Sequence, residues 1–271
     1  MDRHRPSERS TVAADGGAVP AVTRAAAILT VLADAQGQPV SVSELARQLG
    51  LPKSSTANLC LALESERMVT RVDAGYLLGR RLVELGGAYL STVDQIQEFY
   101  SACRRQATIS GLTARVAVLD GLDVLYLARF DGTQPIRLTA NIGDRFPANC
   151  TATGKALMAA MSPAALDERL RGRRTLPGLT ARSVTDPAAL RAELAETRAR
   201  GFALDDEETT PGVACLSIAV PGFRTDSEPF AISVTTMASQ LEADFRARLL
   251  DELRSVGSAL SNPMLGRSTV N

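Results

Sequence analysis

Along residues 22–35 (VTRAAAILTVLADA), Ala25, Ile28, Leu29 and Leu32 recur at three- and four-residue spacing. That spacing puts them on one helical face, with Thr23 available as N-cap. Gly37 and Pro39 end the pattern. A second helix is expected over about 42–49, where Ser41 and Glu44 have capping-box spacing, Val42, Leu45, Ala46 and Leu49 face inward, and Gly50 suits the position past the end. Leu51-Pro52 makes a tight turn, with Pro52 placed to open a third helix over about 53–65. Its inner stripe is Thr56, Leu59, Cys60 and Leu63. Short apolar runs at 68–70 and 76–78, separated by Asp73-Ala74-Gly75, predict a small hairpin.

Residues 82–100 carry Leu82, Leu85, Tyr89, Val93 and Ile96 at helical spacing and are expected to form a linker helix. Such a stripe suits a partner helix as well as it suits the chain's own core. From about 112 the period changes to two. Strands are expected at 113–119 and 123–130 around Asp120-Gly121, at 136–139, and again at 202–207, 213–220 and 230–236. Helices are expected at 153–161, at 163–171 after Ser162-Pro163, at 187–200 between Asp186-Pro187 and Gly201, and at 241–261. Hairpins interleaved with helices predict an α+β fold with a mainly antiparallel sheet. The expected organisation is a disordered tail (1–20), a winged helix-turn-helix (21–81), the linker (82–100), a C-terminal α/β domain (101–262) and a second tail (263–271).

Composition narrows the chemistry. With 45% hydrophobic and 22% charged residues among 271, and no apolar run near the roughly 18–20 residues of a membrane span, the expectation is a soluble cytoplasmic protein. The first twenty residues lack the apolar region of a secretory signal. Net charge is zero, so any nucleic-acid contact must come from placement. The single histidine, His4, lies in the tail, which removes Ser-His-Asp, Cys-His and histidine-metal arrangements from the folded body. Cys60, Cys103, Cys150 and Cys215 are widely separated, without a C-x-x-C pair. No catalytic residue, metal or cofactor is expected.

A third helix that is held by its inner face and presents its N-terminal outer residues can read a major groove. Lys53, Ser54, Ser55 and Asn58 stand outside the apolar stripe. Lys53 and the hydroxyls suit phosphate, and Asn58 suits the two-bond contact to adenine. Arg24 on the first helix and Arg71 on the hairpin complete the candidate DNA contacts. A Lys-Ser-Ser start is also ordinary capping chemistry. In the second half, the run from Asn149 to Lys155 (NCTATGK) enters a helix, so its hydroxyls and amides form either an anion site or a plain N-cap. Lys155, Thr151 and Thr153 together point towards an organic acid. Asp205, Asp206, Glu207 and Glu208 form either a solvated loop or a pocket rim. Cys215 has apolar neighbours and reads as pocket lining, not as a nucleophile.

The run from Thr23 to Gly86 resembles the DNA-binding domain of the IclR (isocitrate lyase regulator) family, through Thr23-Arg24-Ala25, Glu44-Leu45-Ala46, Gly50-Leu51-Pro52-Lys53-Ser54, Leu63-Glu64 and Tyr76-Leu77-Leu78-Gly79. The second half is similar through PANCTATGKA (147–156), Glu207-Glu208, Gly212-Val213, Cys215-Leu216 and Pro221, so the resemblance spans about 21–261. It implies a transcription regulator with a GAF-like effector domain, whose pocket falls on Ala152, Thr153, Asp205, Cys215, Ser233 and Thr235. Ser217, two residues beyond Cys215, shares the face of Cys215 and joins that set. The expected partners are double-stranded operator DNA, a small-molecule effector, and a second copy in a homodimer or a dimer of dimers, with no membrane. Two departures stand out. Ala57 and Asn58 replace the family's usual aromatic or histidine and arginine, and Arg67 follows the recognition helix where glycine is common. An enzyme acting through Lys155 and Asp205, and an adaptor that binds protein only, are the alternatives.

Overall fold

In the computed structural model, residues 19–91, 95–136, 140–222 and 228–261 are described. The chain divides into two compact units between residues 92 and 93.

The first unit holds α1 (Pro20–Asp34), α2 (Val42–Leu49), α3 (Lys53–Ser65), β1 (Val69–Val72), β2 (Gly75–Leu78) and α4 (Arg81–Ser91). Thr23 is not the cap of α1. The helix starts at Pro20 behind Val19, because a proline at the first position lacks only an N–H that the helix leaves unpaired anyway. Ser41 caps α2 by accepting from Glu44 N at 3.2 Å, while the Glu44 carboxylate turns forward to Arg47 and Gln48. Gly50 closes α2 at φ 63°. Ile28, Leu32, Val40, Leu45, Cys60, Leu63, Val69 and Tyr76 form the core, so each helix contributes the stripe its spacing predicts. The wing, β1 against β2, gains a third edge where Val40 and Tyr76 exchange hydrogen bonds of 3.0 and 2.9 Å. Gly75 permits that approach, since a Cβ there would stand 2.3 Å from Val40 O.

The second unit holds α5 (Gln95–Arg105), β3 (Thr113–Asp120), β4 (Asp123–Asp131), β5 (Arg145–Pro147), α6 (Ala152–Ala160), α7 (Pro163–Leu170), α8 (Pro187–Arg200), β6 (Ala203–Asp206), β7 (Val213–Val220), β8 (Phe230–Met237) and α9 (Ala243–Leu260). The six strands form one antiparallel sheet in the order β5-β4-β3-β8-β7-β6. Alternate residues face opposite sides. Ala203, Cys215, Ala219 and Ala231 pack under α6. Ile218, Val220 and Ile232 approach Gly257 of α9 on the other side. The stripe expected on one helix over 82–100 is divided, with Leu82, Leu85 and Tyr89 on α4 and Ile96 on α5. Val93, and residues 137–139 of the strand expected at 136–139, lie outside the described residues. No described helix is long and apolar enough to cross a membrane.

Candidate functional site

The first unit places α3 with Thr56, Cys60 and Leu63 inward, and Thr56 donates from Oγ1 to Pro52 O at 3.1 Å. Lys53, Ser54 and Asn58 are exposed and Ser55 is half-buried. Pro52, not a serine, occupies the N-cap and offers no side-chain acceptor. The first-turn amides beside Lys53 and the two serines therefore open outward, as phosphate binding requires. Arg24 on α1 and Arg71 on the wing are exposed. Leu61 is exposed as well, on the helical face that carries Ser54 and Asn58.

The second unit has a cavity of about 40 Å³ between the sheet and the start of α6. Its lining includes Ala152, Thr153, Asp205, Cys215 and Ser233, five of the seven positions expected there. The ladder explains why they meet. Cys215 stands opposite both Asp205 and Thr235, and Ser217 stands opposite Ser233, so all share the α6 side of the sheet. Ser217 and Thr235 are fully buried and outside the lining, with hydroxyls already engaged. Ser217 donates to Ile232 O at 2.8 Å, and Thr235 accepts from Arg115 at 2.7 Å. Thr151 caps α6 by accepting from Gly154 N at 3.0 Å. A Cβ on Gly154 would lie 2.2 Å from Ala148 O, so the helix starts this close to the sheet only because residue 154 is glycine.

Electrostatics separates the polar residues by role. Burial pushes the Cys215 thiol up to about 12, with Asp205 adding to it, so the sulfur is a neutral thiol beside Thr235 Oγ1 at 3.3 Å. Burial likewise raises the Tyr126 phenol to about 12, and its hydroxyl lies 3.3 Å from Thr153 Oγ1. Asp205 is raised by burial and restrained by its donors, Glu208 N at 2.8 Å, Thr209 N at 3.2 Å and the Thr209 hydroxyl. Its carboxylate thereby ties the turn after β6. Lys155, expected at an anion site, is elsewhere. It is fully buried, with Nζ 2.6 Å from Glu193 and 2.5 Å from Glu208. Two carboxylates 38 and 53 residues away take the cation that the sequence alone offers to a ligand.

Residues 87–262 match the family described as Bacterial transcriptional regulator IclR C-terminal, and residues 21–73 match the IclR helix-turn-helix domain. The chain belongs to the IclR family. It is a DNA-binding transcription regulator of that family, and Paracoccus denitrificans supplies a similar relative, the HTH-type transcriptional regulator BhcR, 34% identical over 86% of this chain and 84% of that protein. Two solved structures share the fold. An IclR transcriptional regulator from Alicyclobacillus acidocaldarius has a TM-score of 0.77 at 24% identity, covering 90% of this chain and 98% of that one. An IclR homologue from Microbacterium hydrocarbonoxydans, complexed with 4-hydroxybenzoate, has a TM-score of 0.70 at 20% identity, covering 89% and 98%.

The cavity wall of this IclR regulator also holds Thr151, one of the hydroxyls expected at an anion site, and Arg115, Tyr126, Phe146, Thr209 and Thr210, none of which was expected from the sequence. One signal for Arg115 was present. In TARVAVLD an arginine occupies an inward phase of a strand whose other central positions are apolar. Tyr126 carried none, because a bulge between Val116 and Ala117 shifts the pairing and brings Tyr126 opposite Ala117.

Proposed function

We propose that this regulator binds a small polar effector, an organic acid or catabolite, in the cavity under α6, and that occupancy changes how α3 engages its operator. The observation that carries this reading is the cavity wall. Tyr126, Thr151, Thr153, Asp205, Thr209, Cys215 and Ser233 converge on one cavity, where packing alone favours apolar side chains. The homologue complexed with 4-hydroxybenzoate supports a small molecule as ligand.

On the operator, Lys53, Ser54, Ser55, Arg24 and Arg71 position the duplex through phosphates, and Asn58 reads a base edge. Leu61 adds an apolar surface of the kind that meets a thymine methyl. A second copy pairs through exposed apolar residues of α1 and α4, Val22, Val83 and Leu85. The effector acts by binding the DNA-competent and DNA-incompetent arrangements with different affinity, since equal affinity shifts nothing.

The test combines two measurements on the full chain. Mobility shift with DNA upstream of its own operon should show salt-sensitive binding by a dimer or larger species. Thermal-shift screening of organic acids and catabolites should find a compound that raises the melting temperature and alters that binding. A protein that retards DNA but responds to no compound, or binds compounds with unchanged operator affinity, ends the effector reading.

A further inference from the structure

Resting on that effector reading, we propose that the turn from Asp206 to Gly212 is a proton-operated flap of the cavity, latched shut while Glu208 carries a proton and released when Glu208 ionises. Size requires that some part of the wall yields. The cavity of about 40 Å³ holds roughly three waters, against the roughly 150 Å³ that accommodates benzene in an engineered apolar cavity. A multi-carbon effector therefore displaces wall atoms as it enters. The wall residues on β6, β7 and β8 are held by ladder hydrogen bonds to their neighbours. The turn between β6 and β7 is under no such constraint, and it supplies Thr209 and Thr210 to the lining.

Two features show that this turn is held against its own preferences. Glu207 stands in the left-handed region at φ 62°, unfavourable for a residue with a Cβ, and such conformations persist only where the surroundings impose them. Three hydrogen bonds impose this one. The Thr180 hydroxyl donates to Glu207 O at 2.8 Å, the Ser183 hydroxyl donates to Glu208 O at 2.7 Å, and Asp205 accepts from Glu208 N at 2.8 Å. The second feature is the Glu208 carboxyl. Its Oε1 meets Lys155 Nζ at 2.5 Å, while Oε2 is buried without a hydrogen bond among the described residues.

Counting charges identifies Glu208 as the surplus. The groups that face it are Lys155 on α6, Glu193 on α8, Asp205 on β6 and the Cys150 thiol ahead of α6. Lys155, fully buried, is already matched by Glu193 at 2.6 Å, so an ionised Glu208 is a buried negative charge with no cation of its own. Arg182, on the loop before α8, pairs with Asp206 and Glu207. Burial accordingly raises the Glu208 carboxyl to about 7 against the attraction of Lys155. Swinging the turn outward returns the group to water, where it ionises near 4.5. Each pH unit between those values favours release by up to about tenfold.

The experiment labels the full chain with N-ethylmaleimide at pH 6 and pH 8 and follows two cysteines by mass spectrometry. Cys215 lines the cavity beside the turn residues, and Cys103, buried on α5, reports opening of the whole domain. Native protein is compared with Glu208→Gln, which stays neutral and latched; their ratio at one pH cancels the ionisation of the thiol itself. At Cys215 that ratio should rise by about tenfold from pH 6 to pH 8, and Cys215 should label at least about tenfold faster than Cys103 throughout. A ratio that ignores pH, or equal labelling of Cys215 and Cys103, overturns the flap. If Glu208→Gln fails to fold, hydrogen exchange across residues 206–213 of the unaltered chain decides. Their protection should fall by about tenfold or more between pH 5.5 and 7.5, and level protection overturns the proposal. Because no effector is added, these results overturn the flap without touching the effector reading, whereas an empty compound screen ends that reading alone.

Discussion

Lys155 and Glu208 meet inside the C-terminal unit, Nζ to Oε1 at 2.5 Å, with the lysine fully buried and the glutamate nearly so. The second oxygen of Glu208 is buried and makes no hydrogen bond among the described residues. Burial therefore prevails over the attraction of Lys155 and, with Glu193 and Asp205 adding repulsion, pushes the Glu208 carboxyl up from 4.5 to about 7.

The sign of the pH effect follows. Between about 4.5 and 7 the folded chain holds a proton on Glu208 that the unfolded chain has released. Stability contributed here falls as pH rises through that window and stays low above it. Melting temperatures measured from pH 5 to 8.5 should decline more steeply for the native chain than for Glu208→Gln, which cannot titrate. Parallel curves for the two proteins would remove Glu208 as the cause.

Arg67 follows α3 in the left-handed region at φ 58°. Met68 N bonds to Leu63 O at 2.9 Å and Arg67 N to Glu64 O at 2.9 Å, a Schellman ending with arginine where glycine fits best. Arg67→Gly should stabilise the N-terminal unit by about 0.5–1 kcal/mol. Slower hydrogen exchange across α3 and β1 in the full chain is the expected readout; unchanged or faster exchange contradicts it.

Gly154→Ala drives a Cβ to 2.2 Å from Ala148 O and 2.4 Å from Ala148 Cα, both backbone atoms that cannot rotate away. A loss of about 1–3 kcal/mol or more is expected. The displaced start of α6 should also reduce the thermal shift produced by a cavity ligand. A variant with native melting temperature and native ligand response shows that the helix start adapts.

Lys53→Ala should weaken binding on every duplex alike and lower its salt dependence by about one counterion, whereas Asn58→Ala should flatten preference at one base position. Competition with single-base operator variants separates the two. If neither variant changes affinity or preference, α3 is not the reading element.

Much of the architecture could be read from local signals. Asp186-Pro187 and Gly201 bracket α8 at Pro187–Arg200 as expected, and Ser41 and Gly50 bracket α2. β5 escaped notice because three residues cannot display a period. The expected helix over 82–100 showed one continuous stripe, but its halves belong to α4 and α5 in different units. At the cavity, the small residues on α6, β6, β7 and β8 came from family resemblance; Arg115 had only its inward phase on β3 as a signal, and Tyr126 had neither motif nor spacing. The assignment of Lys155 to an anion site failed for a definite reason. Its partners Glu193 and Glu208 reach it only once α8 and the turn after β6 have folded against α6.

The two ends of the sheet have a consequence for association. The outermost strands, β5 and β6, are three and four residues long. Pro147 removes a donor from one, and Arg145 paired with Asp120 and Arg182 paired with Asp206 set charge beside both. A neighbouring chain would find too few rungs to extend the ladder, so the domain is protected against edge-to-edge aggregation, and copies that assemble must do so through side-chain surfaces.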